Sequence, residues 1–236
     1  MSGKAHWHQF ATAEDVAQFA LQQILTRAHN AISKKGSFTL VLAGGTTPKR
    51  IYQLLSEQQQ EWSRWHLFMG DERCLDVEDP QRNSVMIRHT WLDKVNFSME
   101  NFYPIAAEHG AEQGAREYGE IIRPFLPFDL TLLGIGEDGH TASLFPAHQH
   151  NENELTHAIY NSPKPPPERV SLSKKALAQS EYLSILVTGS GKKTAVNQWQ
   201  LQEGQLLHEQ QGEILPVAQM TAIHAVDVLI DQDALP

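Results

Sequence analysis

The run Gly134-Ile135-Gly136-Glu137-Asp138-Gly139-His140-Thr141 places a histidine two residues after an aspartate, among three glycines. Imidazole titrates near neutrality, and a carboxylate beside it orients the ring and tunes its proton. His140 with Asp138 therefore suits general-base chemistry. The plain alternative is one more solvated or structural histidine in a chain that has twelve, and the glycines around Asp138 weigh against it. The same run matches G-x-G-x-x-G, the fingerprint of a dinucleotide loop. Against a dinucleotide, Glu137 and Asp138 put two carboxylates where the pyrophosphate would lie, and no following strand ends in an acid at the needed distance.

Three further loops carry groups suited to an anion. In Gly44-Gly45-Thr46-Thr47-Pro48 the glycines allow close backbone approach, and a following helix would offer unpaired amides and its positive dipole end. The bland reading is a tight turn with Thr46 or Thr47 as helix cap and Pro48 at the first helical position. Gly189-Ser190-Gly191-Lys192-Lys193-Thr194 fails as a P-loop, since residue 186 is Leu186 and Lys193 stands where magnesium binding needs a hydroxyl. Lys192 remains either a point charge for one phosphate or a solvated helix-starting lysine. Arg73, in Gly70-Asp71-Glu72-Arg73, and Arg169, after a proline run, offer guanidinium forks for phosphate, or pair simply with Glu72 and Glu168. His148, His150 and His157 lack an acidic or cysteine ligand in a recognised metal spacing and read as a solvated loop.

The elements that must position these loops follow from hydrophobic pattern. Thr12 and Asp15 have capping-box spacing, and Val16, Phe19, Ala20, Ile24, Ala28 and Ala31 recur at helical intervals until Gly36. Short, mainly apolar runs at Phe38–Leu42, His66–Met69, Leu130–Leu133 and Leu183–Val187 each end in one of the polar loops, and another follows at Ala225–Ile230. Strands apolar on both faces and separated by helices predict a parallel α/β sheet with helices on both faces, whose ligands gather beyond the carboxyl ends of the strands. Asn161-Ser162-Pro163-Lys164-Pro165-Pro166-Pro167 is a rigid surface connection, because consecutive prolines supply no amide donors. Strand patterns resume after it, so one unit over 1–236 is expected.

The chain has 236 residues and a formal charge of −9, which disfavours nucleic acid and anionic membranes as partners. Its single cysteine, Cys74, permits no internal disulfide, and no apolar run approaches a bilayer span. The amino terminus lacks the pattern of a secretory leader, so a cytoplasmic location is expected.

Taken in order, LAGGTTPKRIYQLL, MGDERCLD with Asn83 downstream, LLGIGEDGHTASLFP, KPPPERVSLS and VTGSGKK closely resemble the 6-phosphogluconolactonase family, over essentially the whole chain. GIGEDGHTASLFP is the most specific part. The resemblance implies a Rossmann-like fold, no nucleotide or metal cofactor, and hydrolysis of 6-phospho-D-glucono-1,5-lactone to 6-phosphogluconate. It implies His140 as catalytic base and Asp138 as its partner. Gly44, Gly45, Thr46 and Thr47 become a phosphate or sugar loop, and Asp71, Arg73, Arg169 and Lys192 become substrate contacts. Thr46 stands where the family often has serine, and Lys193 where a small residue commonly follows the lysine. The partner implied is the small-molecule substrate, to a monomer or small homo-oligomer. The sister reaction, glucosamine-6-phosphate deamination and isomerisation, uses an acid five residues after the histidine, where this chain has Phe145. A sugar-phosphate sensor would need an attached DNA-binding module and no intact His140–Asp138 pair.

Overall fold

The computed structural model describes residues 5–205 and 214–236. Residues 1–4, part of the stretch read for a leader, lie outside the described residues. Helix α1 (Ala13–Lys35) follows strand β1 (His6–Phe10). Its capping box forms as the spacing predicts: the Asp15 amide donates to Thr12 Oγ1 at 3.1 Å, and the Thr12 amide donates to the Asp15 carboxylate at 3.0 Å. Gly36 closes it as the C-cap, and its inward stripe is Val16, Ala17, Ala20, Leu21, Ile24, Ala28 and Ala31. Phe19 is only partly buried.

The chain then runs β2 (Phe38–Leu42), α2 (Thr46–Ser56), β3 (Trp65–Met69), β4 (Asp71–Arg73), α3 (Asn83–Thr90), β5 (Phe102–Tyr103) and α4 (Ala111–Ile122). It continues through β6 (Phe128–Gly134), β7 (Thr156–Ile159), β8 (Arg169–Leu172), α5 (Lys174–Ala178), β9 (Ser180–Val187), α6 (Lys193–Gln205) and β10 (Ala225–Asp231). Seven strands form one parallel sheet in the order β1-β10-β9-β6-β2-β3-β5, flanked by helices. All five residues of β2 are buried, as expected of a central strand covered on both faces. The predicted apolar runs are these strands: β2 has the predicted bounds, β3, β6 and β9 begin one to three residues earlier, and β6 and β10 end one residue later.

From β2 the chain steps outward to β3 and β5, then returns to place β6 on the other side of β2. That reversal opens a crevice between the carboxyl ends of β2 and β6, the position where open α/β sheets bind ligands. Not foreseen from sequence is a second, antiparallel sheet, β4-β8-β7. It is tied to the main sheet at Gly70, whose amide donates to Leu42 and whose carbonyl accepts from Leu172. The proline run is the loop of the β7–β8 hairpin. Both sheets contribute to one continuous apolar core. Among the described residues no helix is long and apolar enough to cross a membrane.

Candidate active site

A cavity of about 200 Å³ lies in the crevice, lined by Gly44, Gly45, Asp71, Arg73, His140 and Arg169 among others. A larger cleft of about 1010 Å³, between α4 and the 149–155 loop, shares none of its lining residues, and its Arg116, Arg123 and Lys175 are accompanied by Glu112, Glu120 and Glu154. Of the site residues expected from sequence, Gly44, Gly45, Asp71, Arg73, His140 and Arg169 line the smaller cavity, and Thr46, Thr47, Asp138 and Lys192 are not among its lining residues; His150 and His157 line the larger cleft.

The loop after β6 folds back on itself. Gly136 donates its amide to the His140 carbonyl at 2.8 Å, Gly139 to Gly136 at 3.0 Å, and Thr141 Oγ1 to the Gly134 carbonyl at 2.8 Å. This wraps the imidazole over Gly136, where any Cβ would collide with the ring of His140 and the carboxylate of Asp138. His140 Nδ1 lies 2.5 Å from Asp138 Oδ1, and the side chain is 17% exposed. With Nδ1–H donating to the carboxylate, Nε2 is left as the lone-pair nitrogen. Burial lowers the His140 pKa, and the attraction of Asp138 only partly opposes it. Burial raises the Asp138 pKa, but the charge and hydrogen bonds of His140 hold it below the ordinary carboxylate value. At neutral pH the pair is therefore a neutral imidazole on a carboxylate, the form a general base requires.

Across the cavity, α2 begins without a side-chain cap. The capping alternative does not hold: Gly45 is the N-cap, Pro48 is the third helical residue, and Thr47 Oγ1 bonds to Thr188 Oγ1 at 2.6 Å. The first amides of α2 thus remain available to an anion. Gly44 is pressed against Asn83, whose amide group would overlap any Cβ there. Asn83 Nδ2 in turn donates to the carbonyl and Oδ1 of Asp71 at 3.2 and 3.3 Å, and Ser143 Oγ donates to Asp71 Oδ2 at 2.6 Å.

Arg73 and Arg169 stand directly opposite each other on β4 and β8. Like charges in that register are unfavourable, so the pairing is a feature a bound anion would relieve. Neither arginine is satisfied by the carboxylates the sequence offered. Glu72 accepts from the amides of Arg73, Asn83 and Ser84 at 2.8–2.9 Å, and the Arg73 guanidinium donates to the Gln81 carbonyl. Arg169 donates to the carbonyls of Lys164, Pro165 and Pro166 at 3.0–3.3 Å, so the proline run does serve as its platform. Its Nη1 lies 4.0 Å from Asp71 Oδ2. Of the two lysines after β9, Lys193 is exposed and starts α6, whereas Lys192 is half-buried. Burial lowers the Lys192 pKa, against the attraction of Glu137 on the loop after β6.

The structure corrects the reading of His148, His150 and His157 as a solvated loop. His157 lies buried in β7, and His150 stacks on it with ring centroids 4.5 Å apart. The His150 pKa is pushed down to about 4, first by burial and then by His157, His148 and Lys174. Parallel stacking aims the two rings past each other, and among the described residues no group of three His, Cys, Asp or Glu is placed to hold a metal ion. Asn83 is part of the family resemblance, but its hold on Asp71 and that of Ser143 escape sequence reasoning because they lie 12 and 72 residues from it with no shared local pattern.

Fold and site together define an α/β enzyme whose cavity, at the switch point of a parallel sheet, is lined by His140, Arg73 and Arg169. The chain belongs to the glucosamine-6-phosphate isomerase/6-phosphogluconolactonase family, whose model matches residues 11–227. It is 42% identical over 136 residues to a 6-phosphogluconolactonase of Synechocystis, a match covering 54% of this chain and only 57% of that relative. A 6-phosphogluconolactonase of Nostoc is 31% identical over 76% of this chain and 78% of its own. The crystal structure of 6-phosphogluconolactonase from Thermotoga maritima superposes with a TM-score of 0.86 at 26% identity, covering 97% of this chain and all of the other.

Proposed function

We propose that this protein hydrolyses 6-phospho-D-glucono-1,5-lactone to 6-phosphogluconate, with His140 as general base. The observation that carries the reading is His140, paired with Asp138, lining a cavity that also holds the opposed Arg73 and Arg169. The names of the relatives support the substrate. Phe145, 4.6 Å from the His140 ring, stands where the isomerising branch of the family needs an acid.

A lactone is an activated ester, so a base that deprotonates water suffices and no covalent nucleophile is required. His140 Nε2 takes a proton from water as its oxygen bonds to C1, and the carbonyl electrons move to oxygen. Arg73 or backbone amides of the glycine loops stabilise that oxyanion. On collapse, the C1–ring oxygen bond breaks and the His140 imidazolium returns its proton to the departing oxygen. The product acid then ionises. The C6 phosphate is a remote handle: Arg169 and Lys192 hold it, turning binding energy into placement of C1 beside His140.

Comparing kcat/KM for the phosphorylated lactone with that for unphosphorylated gluconolactone tests this reading. A strong preference for the phosphorylated lactone is expected, and equal values would remove the handle from the account. Lys192→Ala should raise KM for the phosphorylated lactone roughly 10- to 100-fold, the loss of one charge-assisted contact, and leave KM for the other unmoved.

The pH profile follows from the direction of the His140 shift. Only the neutral imidazole is a base, so activity should rise with pH and reach half its plateau below the ordinary imidazole value of 6.5. Asp138 favours the charged ring, so Asp138→Asn should move the acidic limb to still lower pH. It should also reduce kcat by at least about tenfold, because the ring loses its orienting partner. A limb that moved upward would contradict the assignment.

A further inference from the structure

Glu137, on the loop after β6, turns its side chain toward Lys164. Its Oε2 lies 3.6 Å from Lys164 Nζ on the proline loop, and its side chain is 65% exposed. Its Oε1 lies so near Gly191 that an added Cβ there would stand 3.2 Å away. Glu137 is also the leading attractive charge on Lys192, which in turn feels repulsion from Lys164. One carboxylate thus lies against the 189–192 turn, paired with Lys164 and attracting Lys192, which Asp138 attracts more weakly. Lys164 belongs to the segment whose carbonyls Arg169 holds, so Lys164 and Lys192 bring two cationic side chains from two loops to Glu137.

We infer that Glu137 is an internal anion occupying the phosphate subsite of the free protein, and that Lys164 is a further phosphate-binding residue which Glu137 releases when substrate enters. The inference rests on the function proposed above. Two lysines brought together in an acidic protein repel each other, and an exposed carboxylate relieves that repulsion until a phosphate with greater charge replaces it. An exposed ion pair is weak enough to be displaced, which a buried one would not be. The arrangement also discriminates: a substrate without a phosphate cannot compete for the lysines and leaves Glu137 in place.

The test is titration of the full chain with inorganic phosphate at low ionic strength, where exposed charges are least screened. Glu137→Gln should tighten phosphate about three- to tenfold, the size of one exposed charge interaction. It should lower KM for the phosphorylated lactone by a similar factor and leave KM for unphosphorylated gluconolactone unmoved. Adding Lys164→Gln to Glu137→Gln should abolish the gain. Unchanged or weaker phosphate binding in Glu137→Gln would overturn the inference, as would equal KM changes for both lactones, the mark of a merely structural role. If the wild-type chain failed to hydrolyse the lactone, the proposed function would fall, while the phosphate titration would still decide whether Glu137 competes for the lysines.

Discussion

Replacing His140 by alanine is expected to lower kcat about 10²–10⁴-fold, the usual contribution of a positioned acid–base group. The fold should survive. The imidazole lines the cavity, and among the described residues its ring bonds to Asp138 and packs on Phe145. The backbone bonds that shape the loop, from Gly136 to the His140 carbonyl and from Gly139 to Gly136, do not involve the side chain. The groups proposed to bind phosphate are untouched as well, so KM should change far less than kcat. Steady-state kinetics with circular dichroism as the check on folding measures this, and full activity in the variant would remove the mechanism.

The largest effect on stability is expected at Arg82, a residue with no sequence signal. Its side chain is 1% exposed and faces Glu72, which is fully buried, at 3.5 Å. It also meets Glu108 at 2.6 Å and donates to the Ile105 carbonyl at 2.6 Å. Arg82→Ala would strand the buried Glu72 carboxylate without its cation, a loss of about 3–5 kcal/mol. Chemical denaturation should show this as a lower midpoint with the slope retained. The effect reaches the site by a short path. Glu72 accepts the first amides of α3, at Asn83 and Ser84, and Asn83 is the side chain packed on Gly44 and bonded to Asp71. Arg82→Ala should therefore weaken activity too. A variant as stable as the parent would show that Glu72 is held by its amide donors alone.

What could be read before the structure was what local pattern encodes. Helix α1 announces itself through the Thr12–Asp15 box and Gly36, and β2, β3, β6, β9 and β10 through apolar residues on both faces. The edge strand β1, His6–Phe10, has no buried residue and so no apolar run. The sheet β4-β8-β7 was illegible because β4 is three residues long and its partner lies about a hundred residues on. The site divides the same way. His140 and Asp138 sit within three residues, and their relation is visible in the letters. The opposition of Arg73 and Arg169, the hold of Asn83 and Ser143 on Asp71, and the burial of His157 are products of strand register, which no local spacing expresses.

The most direct measurement generates the lactone in place from glucose 6-phosphate, adds the purified protein, and follows 6-phosphogluconate against spontaneous hydrolysis. Appearance of the product well above the spontaneous rate, in proportion to protein added, is the predicted result. A rate indistinguishable from the spontaneous one would contradict the account.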